Sequence, residues 1–218
     1  MNNNFTVQNE LITFRKATID DNMEEISKLI YDTDPYIYPY WFKNDEEEAI
    51  SFLKEKLKEE NFFFNYNNLY VAYNETTNKI IGIINSLDNS NNLDYDYSEL
   101  ESINENFNNT INNYLKVIIN KVKENDYLYI SNICIDGNYR GIHIGTNFLK
   151  YFINQMEEAG FEEFFVDCLI DNLRAKNLFQ DLDFNEMEEN TGFDGELSVV
   201  SMKRKKDEYL PSEYKNFV

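Results

Sequence analysis

The chain has 218 residues, 42% of them hydrophobic and 16% aromatic, which is enough apolar material for one sizeable core and excludes an uncollapsed polymer. Only 7 glycines and 3 prolines exclude a collagen-like or loop-dominated structure. A formal net charge of −20 argues against a nucleic-acid partner, whose phosphates need a Lys/Arg surface, and is compatible with a cationic one or with plain solvation.

No window is apolar for long enough to cross a bilayer, so no membrane partner is expected. The run Met1-Asn2-Asn3-Asn4 has no basic region leading into an apolar stretch, so the reading is a soluble cytoplasmic protein. Cys134 and Cys168 lie far apart in apolar segments without CxxC spacing; reduced, buried thiols are expected, and no metal site. No repeat or Pro/Gly/Ser-rich linker divides the chain, which reads as one domain over 1–218, with its core at 11–206 and a tail at 207–218.

In chain order, Leu11 to Arg15 reads as the first strand. Met23, Ile26, Leu29 and Ile30 recur at helical spacing behind Asp20, a candidate cap. In the segment Asp34 to Phe42, Pro35 and Pro39 predict an aromatic loop. A second helix is expected at about Asp45 to Glu59, opened by an acidic run that suits a helix N-terminus. Leu69 to Tyr73 and Lys79 to Ile84 read as a hairpin, followed by a polar stretch, Asp88 to Asp96. Leu100, Ile103, Phe107, Ile111, Tyr114, Leu115 and Ile118 suggest a further helix. A strand at about Tyr127 to Ile135, a glycine loop, a helix at about Gly145 to Ala159 and a strand at Glu163 to Leu169 imply a parallel pair with a crossover. A short helix near Asn172 to Leu182 and strands near Phe184 to Glu188 and Glu196 to Met202 complete a mixed, mostly antiparallel α/β arrangement.

The chemistry concentrates in Ile133-Cys134-Ile135-Asp136-Gly137-Asn138-Tyr139-Arg140-Gly141-Ile142-His143-Ile144-Gly145-Thr146, an apolar strand feeding a loop and then a helix. The N–H groups that open a helix suit a phosphate or diphosphate. Gly141 and Gly145 allow close backbone approach, and Arg140 adds a cation. Neither a Walker loop nor a dinucleotide fingerprint is present.

Arg140-Gly141-Ile142-His143-Ile144-Gly145 resembles the Arg-Gly-x-Gly-x-Gly loop of the GNAT superfamily of N-acetyltransferases, and the segment before it resembles that family's fourth strand. Asn172-Leu173-Arg174-Ala175-Lys176-Asn177-Leu178-Phe179, continuing to Asp183-Phe184, resembles its Asn-x-x-Ala-x-x-Leu-Tyr-x-x-x-Gly-Phe element. The resemblance implies a GNAT-like fold: a central sheet with one parallel pair at the acetyl-CoA site and helices on both faces. It implies acetyl transfer from acetyl-CoA to an amine by direct attack in a ternary complex. Backbone groups of the loop, from Arg140 through Gly141, Ile142, His143 and Ile144 to Gly145 and the helix opening at Thr146, would hold the CoA diphosphate. The strand segment Ile133-Cys134-Ile135 would run beside the pantetheine, with main-chain groups of Ile133 and Ile135 polarising the thioester carbonyl. Asn172 would hydrogen-bond the pantetheine, with Ala175 and Phe179 at the thioester end.

Three positions depart from the pattern. His143 and Asp183 stand where the family has glycine, and Phe179 stands where a tyrosine commonly protonates the leaving thiolate. No carboxylate occupies the strand just before Ile133, where Ser131 and Asn132 stand, so no base is evident. Asp34, Tyr36, Tyr38, Tyr40 and Trp41 border the expected acceptor side and could receive a cationic amine, whether small molecule or peptide; a hydrophobic lid on the core is the competing reading. A CoA-binding regulatory module without catalysis is the alternative function. A calcium-dependent interaction protein rests only on the spacing of oxygen side chains from Asp88 to Glu99, and chance accounts better for that spacing. A homodimer stays open.

Overall fold

The computed structural model describes residues 3–60, 62–88, 127–191 and 198–206. The strands are β1 (Asn4–Val7), β2 (Glu10–Lys16), β3 (Leu69–Asn74), β4 (Lys79–Leu87), β5 (Leu128–Ile135), β6 (Glu163–Leu169), β7 (Asn185–Thr191) and β8 (Ser198–Lys205). The described helices are here α1 (Met23–Tyr31), α2 (Ile37–Trp41), α3 (Glu46–Lys56), α4 (Ile144–Glu158) and α5 (Leu173–Gln180). The strands form one sheet in the order β1-β2-β3-β4-β5-β6-β8-β7, antiparallel except for the β5–β6 pair. This is the expected mixed sheet with its single parallel pair. The stretch with the expected helix around Leu100 to Ile118, and the oxygen-rich segment after Asp88, lie outside the described residues.

Helices cover both faces, and alternation along each strand divides the core in two. On one side Met23, Ile26, Leu29 and Ile30 of α1, Tyr38 and Trp41 of α2 and Leu53 of α3 pack on Val71, Ile83 and Tyr129. On the other, Phe148, Leu149, Phe152 and Ile153 of α4 and Phe179 of α5 pack on Phe14, Ile84, Leu128, Ile130 and Val166. The i, i+4 pairs of α4 make a continuous apolar stripe, which fixes that helix's rotation against the sheet. At the other end of the fold Arg15 grips Asp21 with both terminal nitrogens, at 2.8 and 2.6 Å. Asp21 also accepts from Thr18 N, so the turn from β2 into α1 is closed by a planar fork on a carboxylate.

Several expectations need correction. Asp20 does not cap α1; Asn22 does, its Oδ1 accepting from Glu24 N and Glu25 N. The aromatic segment is not all loop, because residues 37–41 form α2. Pro39 falls in the first turn, where the missing N–H would have had no intrahelical partner. Asp34 supports the start of that turn by accepting from Tyr36 N and Ile37 N at 2.8 Å each. The sheet has a strand that the sequence does not predict: β1 pairs with β2 through the two-residue turn Gln8-Asn9, both with positive φ. That geometry matches a hairpin turn of the primed type, but the sequence lacks the glycine that usually announces one.

Helices α4 and α5 end alike. Gly160 N donates to Glu157 O and Phe161 N to Met156 O; Asp183 N donates to Gln180 O and Phe184 N to Phe179 O. Both are Schellman closures, with Gly160 at φ 104° and Asp183 at φ 65° in the left-handed position. Asp183 therefore occupies, at a steric cost, a conformation that the family's glycine adopts freely. Asp183→Gly should raise the stability by about 0.5–1 kcal/mol. Gly160→Ala should lower it by about 1–2 kcal/mol. Thermal or urea denaturation reads both, and a destabilised Asp183→Gly variant would contradict the assignment.

Candidate functional site

The site begins where two strands part. The parallel ladder pairs Leu128, Tyr129 and Ile130 with Phe164, Phe165 and Val166, and then ends. Residues 131–135 of β5 continue with β4 on one side only, among the described residues. At the parting point β5 carries a bulge: Asn132 faces Asn85 and Ile130 faces Ser86, leaving Ser131 over. The extra residue resets the alternation. Leu128 and Ile130 face the α4 side, and so do Ile133 and Ile135, an odd number of residues later.

The bulge also decides which backbone groups face the gap. Asp136 N donates to Ile81 O on β4 at 2.8 Å. By alternation the polar groups of Cys134 face β4 as well, whereas those of Ile133 and Ile135 face away from it. Arg140 verifies the direction, its Nε donating to Ile135 O at 2.7 Å. Two main-chain N–H groups, of Ile133 and Ile135, thus point into the cleft between the diverging strands. Arg140 is engaged with the end of β5, its Nη2 lying 3.8 Å from the Cys134 sulfur.

Beyond β5 the loop folds as a 3-10 turn over Gly137–Tyr139, started by Asp136 Oδ1 accepting from Asn138 N. Tyr139 ties it down: its hydroxyl accepts from Nδ2 of the buried Asn74 at 3.1 Å. Asn74 Oδ1 in turn holds the N–H groups of Thr76 and Thr77 in the β3–β4 turn. Gly141 (φ 81°) and His143 (φ 65°) then reverse the chain into α4. His143 makes no side-chain cap, and the first intrahelical bond of that turn is Asn147 N to His143 O. The N–H groups of Ile144, Gly145 and Thr146 therefore precede the ladder at the positive end of a 15-residue helix. A side chain at Gly145 would make only ordinary contact, 3.5 Å from Ile135 Cγ1, so the protein's own packing does not require glycine there.

The remaining candidates separate. Asn172 is exposed and caps α5, its Oδ1 accepting from Ala175 N at 3.1 Å. Ala175 is partly buried on the α5 face toward the core. Phe179 does not line an open thioester end: it is 1% exposed and its ring packs on Phe184 at 5.4 Å between centroids. The Schellman closure explains this correction, because its hydrophobic contact joins the same two positions. Of the five acceptor-side residues, Tyr36 and Tyr40 are exposed at 46% and 38%, whereas Tyr38 and Trp41 are core residues at 3% and 4%. Burial pushes the Asp34 carboxyl upward, partly offset by the N–H bonds from Ile37 and Tyr36.

Some residues escaped the sequence reading. Asn132, at the bulge, donates to Thr33 Oγ1 at 2.9 Å and to Tyr38 Oη at 3.1 Å, joining the α1–α2 connection to β5. Asp32 lies near the outer end of β5; burial raises its carboxyl, Glu46 and Asp136 raise it further, and Arg140 opposes them. Burial also pushes the Cys134 thiol up to about 11, with Arg140 pulling the other way, so it stays a neutral thiol at physiological pH. Nothing in an Asn inside a strand, or in an Asp or Thr just past a helix, marks such contacts without the fold.

The chain matches the model of the Acetyltransferase (GNAT) family over residues 26–184. No curated protein matches it. Among solved structures, an N-acetyltransferase from Staphylococcus aureus superposes with a TM-score of 0.66 at 20% identity, covering 88% of this chain and 100% of that one. A Corynebacterium glutamicum structure described as histone acetyltransferase HPA2 and related acetyltransferase gives 0.64 at 15%, with 92% and 99% covered. An agmatine N-acetyltransferase gives 0.58 at 14%, with 89% and 99% covered. At these identities the likeness is one of fold.

The packing of Phe179 yields a prediction. Phe179→Tyr introduces a hydroxyl into a buried apolar contact and should cost about 1–3 kcal/mol of stability. A melting temperature equal to that of the unsubstituted chain would mean the para position opens into the cleft after all.

Proposed function

Because this chain belongs to the GNAT acetyltransferase family, we propose that it moves an acetyl group from acetyl-CoA to a primary amine by direct attack in a ternary complex. The observation that carries the reading is the parting of β5 from β6, with two cleft-facing N–H groups at the end of the strand that runs on into a glycine turn and a helix N-terminus. Those groups fit the donor. The N–H groups of Ile144, Gly145 and Thr146 offer a diphosphate both hydrogen bonds and the helix dipole. The N–H groups of Ile133 and Ile135 suit an amide-bearing arm lying beside the strand, and one of them would stabilise charge on the thioester oxygen. Asn172 keeps its Nδ2 for the same arm while Oδ1 caps α5. When bound, acetyl-CoA supplies the activated acetyl group and a thiolate leaving group.

The acceptor amine would approach from the α1–α2 side, where Tyr36 and Tyr40 are exposed and the chain's −20 charge favours a cation. With Phe179 in the core, no tyrosine at that position protonates the departing sulfur. A thiol with a pKa of roughly 8.5 leaves acceptably without one. A CoA-binding module without turnover is the second reading, favoured by that same burial of Phe179.

Release of free thiol from acetyl-CoA, measured across a panel of alkylamines, polyamines, aminoglycosides and lysine peptides, separates the two. Turnover with at least one amine supports transfer; tight CoA binding with no turnover supports the module. Gly145→Asp should leave the melting temperature little changed yet weaken CoA at least about tenfold, because it sets bulk and negative charge at an anion site. Isothermal calorimetry giving equal affinities would remove the diphosphate from this loop.

A further inference from the structure

The bulge sets two asparagines face to face. Asn132, the first β5 residue after the unpaired Ser131, stands opposite Asn85 of β4. Directly opposed residues project from the same face of a sheet. Here it is the α1–α2 face, since Asn132 bonds to Thr33 and Tyr38 and Asn85 Nδ2 donates to Phe63 O at 3.3 Å. The N–H donors of this pair are all spent. Asn85 Nδ2 gives its second hydrogen to Ser131 Oγ at 2.7 Å, and Asn132 Nδ2 gives both of its own to Thr33 Oγ1 and Tyr38 Oη. Each amide is oriented by what it meets. Phe63 O can only accept, and the Thr33 hydroxyl has already committed its hydrogen to Ile30 O at 2.6 Å, so NH2 and not oxygen faces each of them. Both amide oxygens are left without a donor among the described residues. Asn85 Oδ1 is enclosed in the core, whereas Asn132 is only partly buried.

We infer that Asn132 Oδ1 binds the incoming amine, accepting a hydrogen bond from it and aiming its nitrogen at the thioester carbon; this rests on the acetyl-transfer reading above. Covalent geometry keeps Asn132 Oδ1 within roughly 6 Å of Ile133 N, the cleft-facing N–H one residue on. With the diphosphate at the opening of α4, the donor's arm passes Ile135 before Ile133, which sets the thioester carbonyl at Ile133 and beside Asn132. A thioester oxygen on Ile133 N–H and an amine on Asn132 Oδ1 are compatible with a nitrogen-to-carbon separation of about 3–3.5 Å, that of a near-attack pair. An amide oxygen is too weak a base to be protonated, so Asn132 holds and orients the amine and takes no proton from it. The pair also sets the class of acceptor. With oxygens left over and no N–H, it suits a primary amine, which brings several donors, over an alcohol or a carboxylate.

Asn132→Leu and Asn132→Asp test this with the panel amine of highest turnover. Each loses both Nδ2 bonds, so a merely structural role damages the two alike; Asp keeps an acceptor oxygen and Leu does not. Asn132→Leu should lower kcat/KM for the amine about 5- to 50-fold, with the calorimetric Kd for CoA unchanged. Asn132→Asp should stand at least about fivefold above Asn132→Leu. Unchanged kcat/KM in Asn132→Leu overturns the inference. So does an Asp variant no better than the Leu variant, or a loss of CoA affinity that matches the loss for the amine. If Asn132→Leu does not fold, Thr33→Val carries the test, because it removes the acceptor that fixes the amide. Its kcat/KM for the amine should fall about 2- to 10-fold with the KM for acetyl-CoA unmoved, and an unchanged value overturns the inference. An unsubstituted chain that binds CoA and acetylates no amine sinks the transfer reading and this inference together; an active chain indifferent to Asn132→Leu sinks this inference alone.

Discussion

The separation of two parallel strands after three paired residues is the constraint from which the site follows. Backbone N–H groups inside a sheet are normally consumed by the next strand. Here β6 leaves β5 at Val166, and the groups of Ile133 and Ile135 are left facing a cleft. The bulge at Ser131 is the companion of that separation. Without its one-residue reset, Ile133 and Ile135 would turn their side chains toward α1, and the α4 side would lose two of its apolar contacts. A single unpaired residue thus keeps the core intact while it redirects the strand.

The support around the cleft is polar and local. Asn74 joins the β3–β4 turn to Tyr139 of the loop, and Asn132 joins β5 to Thr33 and Tyr38. Asn22, Asp34, Asp45 and Asn172 each open a helix or a helical turn with a side-chain oxygen. A chain rich in Asn and Asp uses short polar side chains both as caps and at four left-handed positions, Asn9, Asn44, Asn78 and Asp183, a conformation that glycine adopts freely.

Those habits set what could be read without coordinates. Periodicity located α1, α3, α4, the β3–β4 hairpin and β6, because each has an apolar face of regular spacing and a clear stop such as Gly160. The glycine loop and the Asn172 element were legible through their resemblance to the GNAT motifs, which tolerates the non-glycine residues His143 and Asp183. The rest depends on contacts distant in sequence. Nothing local tells that Pro39 sits in a helix's first turn, that Gln8-Asn9 closes a hairpin, or that Phe179 is the apolar partner of a helix closure. The bulge at Ser131 is a relation between two strands more than 40 residues apart in the chain, and it leaves no mark on either strand alone.

Arg140 has a consequence for ligand capture. Its guanidinium is occupied at the end of β5 by Ile135 O and the Cys134 sulfur. On the proposed reading, short-range N–H groups and a helix dipole, with the Arg140 charge beside them, hold an anionic donor in a protein whose overall charge repels it. Dipole contacts act within a turn of helix, whereas the repulsion of twenty net charges extends about a Debye length into solution. The encounter is then the unfavourable part and the embrace the favourable one. Moderate salt, which slows most captures of a charged ligand by screening an attraction, would here quicken association by screening a repulsion, and would leave the lifetime of the complex nearly as it was.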